Sequence, residues 1–145
     1  MATEIPEAVA QVRRGASRLA RRLRAERPAD ALSGTKIAVL AHLLHHGGAR
    51  PGEIAVAERL QPQSLTRAIA ELEAERMITR ARGERDRRQY VLELSEAGRR
   101  ALAEDMASRD RWLARAMGEL TEAERHVLYL AGELMDRIAG FDKAS

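Results

Sequence analysis

Residues 77 to 95 read MITRARGERDRRQYVLELS. MITRAR and QYVLELS each carry the short alternation of a strand. In the second, Tyr90, Leu92 and Leu94 fall on one face, and Val91 and Glu93 on the other. ARGERDRR between them reads as a loop, with Gly83 permitting a tight turn. From Arg76 to Arg88 six arginines stand against Glu84 and Asp86, a local charge of +4. A run of like charge usually marks a solvated face or a disordered tail. This run is interrupted by acids and bounded by strands, so it reads as the charged tip of a folded β-hairpin.

Upstream of the hairpin the chain reads as helices. Ile5, Val9, Val12, Ala16, Leu19 and Leu23 form one apolar stripe on a helix of roughly residues 5 to 26, which Pro28 stops. The remaining faces are mostly Arg, Gln and Ala, so this helix needs a partner surface in its own chain or a second copy. Ser33 is a good N-cap for a second helix to about His46, with Ile37, Leu40, Ala41 and Leu44 on its buried face. Gly47-Gly48 ends it, and Ala49-Arg50 leave room only for a very short extended piece. Pro51 opens a third helix, PGEIAVAERL, burying Ile54, Ala57 and Leu60. Pro62 opens a fourth, PQSLTRAIAELEAERM, with Leu65, Ile69 and Leu72 buried and Gln63, Ser64, Thr66, Arg67 and Ala70 turned away.

Downstream, Ser95 caps a helix to about Met117, with Leu102, Met106, Leu113 and Met117 inward. Thr121 and Glu124 form a capping box. The last helix carries Val127, Ala131, Leu134, Ile138 and Phe141 at 4-3-4-3 spacing. Two short helices joined by a tight turn and followed by a two-stranded hairpin make a winged helix-turn-helix. Its second short helix is sized to enter a major groove. The fold class is therefore mainly α with a small β-hairpin, flanked by long N- and C-terminal helices whose narrow seams suit dimerisation. Residues 1–30 form the N-terminal dimerisation helix, 31–98 the DNA-binding lobe and 99–145 the C-terminal dimerisation helices, intertwined as one domain.

Composition sets the outer limits. The chain has 145 residues, 45% of them hydrophobic, enough for a core. No apolar run is long enough for a membrane span, and the N-terminus lacks the apolar core of a secretory signal, so a cytoplasmic protein is expected. The absence of cysteine removes disulfides, thiol catalysis and thiolate metal sites. No Gly-rich phosphate loop, nucleophile motif or H-E-x-x-H is present, so no enzyme is expected. The net charge of +3 is a weak sign of nucleic acid, but residues 1–27 alone carry seven arginines against three glutamates.

An ordered set of motifs resembles the MarR family of bacterial transcription regulators, from about Ala8 to Phe141. The motifs are Leu32-Ser33 at the second helix, Glu53-Ile54-Ala55 in the third, and Pro62-Gln63-Ser64-Leu65-Thr66-Arg67 opening the fourth. Leu72-Glu73-Ala74-Glu75-Arg76-Met77-Ile78-Thr79-Arg80, Asp86-Arg87-Arg88 and Leu94-Ser95-Glu96-Ala97-Gly98 complete it. The resemblance implies a homodimer that binds pseudo-palindromic duplex DNA, probes the major groove with the fourth helix and places the hairpin wing at the minor groove. It implies DNA contacts from Ser33, Pro62, Gln63, Ser64, Thr66, Arg67, Arg82, Arg85, Arg87 and Arg88. Asp86 would orient Arg88, two residues on. Repression is the expected mode, with release by a small aromatic or anionic effector. A winged-helix dimer that binds proteins, or a small-ligand-binding protein without DNA binding, remains the alternative.

Three positions depart from the family pattern. Arg76 stands where glycine is usual, so the turn there is expected to close differently. Lys36 replaces a common glutamine. Gln61 takes the position of a Ser or Thr cap.

Arg13, His42 and Trp112 are the candidates for an effector site, though a solvated face explains Arg13, with Arg14 and Arg18, and packing explains Trp112. His42 and His46 share a helix face, but no third ligand stands at matching spacing. No metal or other cofactor is expected.

Overall fold

In the computed structural model, which describes residues 2–82 and 89–141, six helices and one hairpin follow each other in the expected order. They are α1 (Ile5–Ala25), α2 (Gly34–His46), α3 (Pro51–Ala57), α4 (Pro62–Ala74), β1 (Ile78–Arg82), β2 (Tyr90–Leu94), α5 (Glu96–Gly118) and α6 (Glu122–Ala139). The chain is mainly helical with a small antiparallel hairpin. The wing-tip residues Gly83, Arg85, Asp86, Arg87 and Arg88 lie outside the described residues.

Local chemistry sets the helix starts. Ser33 Oγ accepts from Lys36 N at 3.2 Å and Ser95 Oγ from Gly98 N at 3.0 Å, each satisfying an amide that the helix leaves free. Thr121 and Glu124 close the capping box, the Thr121 amide donating to Glu124 Oε2 at 2.7 Å and the Glu124 amide to Thr121 Oγ1 at 3.2 Å. This holds the Glu124 carboxyl below its ordinary pKa.

The hairpin pairs Ile78 with Leu94, Arg80 with Leu92 and Arg82 with Tyr90. Ala49 adds a short third partner. Its amide donates to the Leu92 carbonyl at 3.1 Å and its carbonyl accepts from Leu92 at 2.8 Å. Thus the brief extended piece after α2 stitches the hairpin to the helices.

The core sits where α2, α4, α5 and the hairpin meet. Val39, Leu40, Leu43, Ile54, Leu65, Ile69, Leu72, Ile78, Leu92 and Leu102 are buried there, each large side chain worth about 1.5–3 kcal/mol. Two residues differ from the sequence expectation. Leu44 is 36% exposed, and Val39 and Leu43 are buried instead. α2 is packed by α4, α5 and β2, so its buried face is wider than one stripe and is centred away from Leu44. Ala57 is exposed because α3 ends there and Arg59, at φ 51°, turns the chain. Leu60 still packs against the core.

The fourth helix stops at Ala74 rather than near Met77. Arg76 takes φ 60°, the conformation a glycine would supply, and the Met77 amide bonds the Leu72 carbonyl at 2.9 Å. The turn therefore closes as a left-handed cap despite the missing glycine, and the expectation of a different closure is corrected. The Ser95 hydroxyl secures it by donating to the Arg76 carbonyl at 2.7 Å.

The link from α1 to α2 is pinned on α5. The Leu32 amide donates to Asp105 Oδ2 at 2.7 Å, and Ser108 Oγ donates to the Glu26 carbonyl at 2.6 Å. Asp105 and Arg109 are both buried and paired one helical turn apart. By contrast, α1 and α6 bury no residue within the chain. Ile5 is 78% exposed, Val127 64% and Ile138 66%. These are the stripes read from the sequence, still unpartnered in a single copy. Among the described residues no helix is long and apolar enough to cross a membrane.

Candidate nucleic-acid interface

The first turns of α2 and α4 converge on a cleft of about 530 Å³, lined by Ser33, Thr35, Gln63, Ser64, Arg67, Ala68 and Glu71. The amphipathic pattern of α4 explains this. Leu65, Ala68, Ile69 and Leu72 are buried, which turns Pro62, Gln63, Ser64, Thr66 and Arg67 outward, all exposed. Gln61 makes no side-chain cap bond. Pro62 has no N–H and the Leu65 amide donates to the Gln61 carbonyl at 3.0 Å, so the Gln63 and Ser64 amides are the ones left for an outside acceptor, at the positive end of the helix dipole. Thr66 differs from its neighbours because its hydroxyl donates to the Pro62 carbonyl at 2.8 Å. Thr66 can therefore offer only oxygen lone pairs outward.

The α4 side of the cleft carries both a cation and an acid. Arg67 and Glu71 are a helical turn apart on α4, both exposed. Lys36 lies across the Glu71 side, with Nζ 3.1 Å from Glu71 Oε2 and 3.0 Å from Glu75 Oε1. The hydrogen bond to Glu75 is the main cause that raises the Lys36 pKa above its ordinary value; desolvation opposes it, and the hydrogen bond to Glu71 and the charges of both acids add to the rise. The ammonium is therefore charged at neutral pH.

The base of the hairpin is fastened to the helices beside it. Arg80 of β1 bonds Glu73 of α4 and lies over the Tyr90 ring of β2. Arg50, just before α3, bonds Glu53 Oε1 at 2.8 Å and Gln89 Oε1 at 2.9 Å. Arg82 ends β1, exposed, opposite Tyr90.

The DNA-contact residues read from the sequence thus separate into groups. Ser33, Gln63, Ser64 and Arg67 share the cleft, Pro62 and Thr66 border it on α4, and Arg82 stands on the hairpin. Thr35, Arg50 and Gln89 were not singled out from the sequence. Their places depend on helices and strand meeting across 30 to 40 positions, which no local spacing announces.

The three effector candidates are not brought together. Arg13 lies on the exposed face of α1 with Arg14, Arg18 and Arg21. Trp112 is half-buried on α5, with the Arg22 guanidinium 4.9 Å from its ring centre. His42 is buried, with Nδ1 3.0 Å from Glu58 Oε1, and its ring lies 4.6 Å from that of His46. Glu58, His45 and Asp136 share that cavity. Among the described residues no group of three His, Asp or Glu side chains is placed to hold a metal ion.

Comparison with known proteins assigns the family. A sequence profile of the MarR family matches residues 32–89, from the start of the second helix to the return strand of the hairpin. An HTH-type transcriptional regulator of Mycobacterium tuberculosis, MT0903.1, is 35% identical over 118 residues, 81% of this chain and 82% of the relative. The HTH-type transcriptional repressor MdtR of Bacillus subtilis is 35% identical over 86 residues, 59% of this chain and 56% of that one. A solved transcriptional regulator from Pseudomonas aeruginosa superposes with a TM-score of 0.73 at 35% identity, covering 94% of this chain and 96% of that one. The chain belongs to the MarR family of winged helix-turn-helix transcriptional regulators.

Proposed function

We propose that this regulator binds pseudo-palindromic duplex DNA as a homodimer and represses transcription. The observation that carries the reading is the cleft between the first turns of α2 and α4, where Ser33, Gln63, Ser64 and Arg67 stand together. Hydroxyls and free helix amides suit phosphate oxygens, and they fix the protein's register on the duplex. Gln63 suits the edge of adenine and Arg67 that of guanine, because each can make two hydrogen bonds to one base. α4 enters the major groove, and the hairpin lies along the neighbouring minor groove. Arg82, Arg85, Arg87 and Arg88 meet its negative potential there, with Asp86 orienting Arg88.

The exposed apolar stripes of α1 and α6 support a homodimer. Ile5, Val9 and Val12 on one, and Val127, Leu134 and Ile138 on the other, are exposed within a single chain. Stripes of this size on a monomer are a liability unless covered. A two-fold dimer covers both and presents two copies of α4 to two half-sites. The repressor mode follows the relative MdtR, itself named a repressor.

The test is selection of bound duplexes from a random pool, with sedimentation of the free protein. The reading expects enrichment of an inverted repeat and a dimer mass. Enrichment of no sequence, with no retention of duplex at low salt, contradicts it.

A further inference from the structure

Lys36 lies in the first turn of α2, and its side chain is only 14% exposed. Its Nζ sits between Glu71 Oε2 at 3.1 Å and Glu75 Oε1 at 3.0 Å. Glu71 lies in the last turn of α4 and Glu75 caps its end, four residues on, and Glu71 also lines the cleft with Ser33, Gln63 and Arg67. An acid on that wall is the wrong sign for a surface that meets phosphate. Left alone, the two carboxylates would set a charge of −2 beside the cleft, and Lys36 halves it.

Two bland roles compete. Lys36 as a direct phosphate ligand is disfavoured, because its ammonium is already held by two carboxylates. Lys36 as a simple strut between α2 and α4 needs only one acid, whereas two converge on it. Apolar contacts already join these helices, since Val39, Leu40, Leu65, Ile69 and Leu72 belong to one core cluster.

We propose that Lys36 sustains DNA binding without touching DNA, by offsetting half the negative charge of Glu71, on the wall of the cleft that faces the duplex, and of Glu75 beside it. It is a positioning and screening residue for recognition, and its role rests on the DNA-binding reading above. The usual partner at this position, a glutamine, carries no charge. This chain thus tolerates acids on α4 that a neutral residue would leave unopposed.

The experiment compares wild type, Lys36→Met, and the triple variant Lys36→Met with Glu71→Gln and Glu75→Gln. The probe is a duplex selected from a random pool by the wild-type protein, and thermal unfolding of each variant is followed alongside. Lys36→Met is expected to bind about tenfold more weakly, the scale of two carboxylates repelling phosphates through partly screening solvent. The triple variant has no cross-helix ion pair, yet is expected to bind as tightly as wild type or more so.

A triple variant as weak as Lys36→Met overturns the proposal, since either a phosphate contact or a strut would then be what was lost. Unchanged binding by Lys36→Met overturns it too. Should Lys36→Met fail to fold, the triple variant decides alone, with affinity at or above wild type in support and weaker binding against. Retention of no duplex by the wild type would sink the DNA-binding reading, and this inference with it. That result is distinct from a wild type that binds and a triple variant that does not recover.

Discussion

Arg80 grips both carboxylate oxygens of Glu73, with its Nε 2.9 Å from Oε1 and 3.0 Å from Oε2. The same guanidinium carbon sits 3.9 Å from the centre of the Tyr90 ring. One side chain thus ties both strands of the hairpin to the end of α4.

Loss of this clip is expected to cost little stability and more binding. The pair is partly exposed, so Glu73→Gln should lower stability by about 0.5–1 kcal/mol, an effect that shrinks in high salt. Arg80→Ala also removes the stacked cation and should cost about 1–2 kcal/mol. Urea unfolding at low and high salt measures both. An Arg80→Ala variant as stable as wild type would show that the clip does not hold the hairpin.

Arg76 stands at φ 60°. That conformation costs a residue with a Cβ about 1–2 kcal/mol, while glycine loses about 0.5–1 kcal/mol in chain entropy. Arg76→Gly should therefore raise stability by up to about 1 kcal/mol. A fall in the denaturation midpoint would mean that the arginine side chain makes a compensating contact.

Gly98 cannot take a side chain. A Cβ there would lie 2.1 Å from the Met77 carbonyl oxygen and 2.9 Å from its carbon, both backbone atoms. The first turn of α5 rests directly on the turn that ends α4. Gly98→Ala should cost about 3 kcal/mol or more and lower the yield of soluble protein. Near-wild-type melting would show that this junction can slide.

Asp105 is buried, paired with Arg109, and accepts the Leu32 amide at 2.7 Å. Removing it leaves a buried guanidinium and a backbone donor unmatched. Asp105→Ala should therefore cost about 3–5 kcal/mol. Asp105→Leu combined with Arg109→Met should recover part of that, since no charge is then stranded. Double-variant unfolding checks it, and equal losses in single and double variants would contradict the pairing.

Much of this was legible in the sequence because the signals are local. Ser33, Ser95 and the Thr121–Glu124 box mark helix starts through bonds spanning three residues. The hairpin showed in two alternations around a glycine. The outward face of α4 followed from its buried stripe. The misses have non-local causes. Leu44 was placed inward because α2 was read as having one buried stripe, while α4, α5 and β2 all pack on it. Asp105 and Arg109 were not singled out, since their burial depends on the chain at Leu32 folding back across 73 positions. Lys36 stood out as a departure, but its partners on α4 could not be read from it. Arg76 was expected to disturb its turn, yet the backbone of the junction at Ser95 and Met77 imposed the left-handed cap.

The central claim is that the α2–α4 cleft reads DNA. It is tested most directly by equilibrium binding of the selected duplex over a range of salt, for wild type and Arg67→Ala. Wild-type affinity should fall linearly on log–log axes as salt rises, with a slope of roughly −0.9 for each phosphate neutralised. Arg67→Ala should lose about 1–3 kcal/mol on the selected sequence and much less on a scrambled one. Equal affinity of the two proteins for the selected duplex, with the same preference over the scrambled one, would contradict recognition by this cleft.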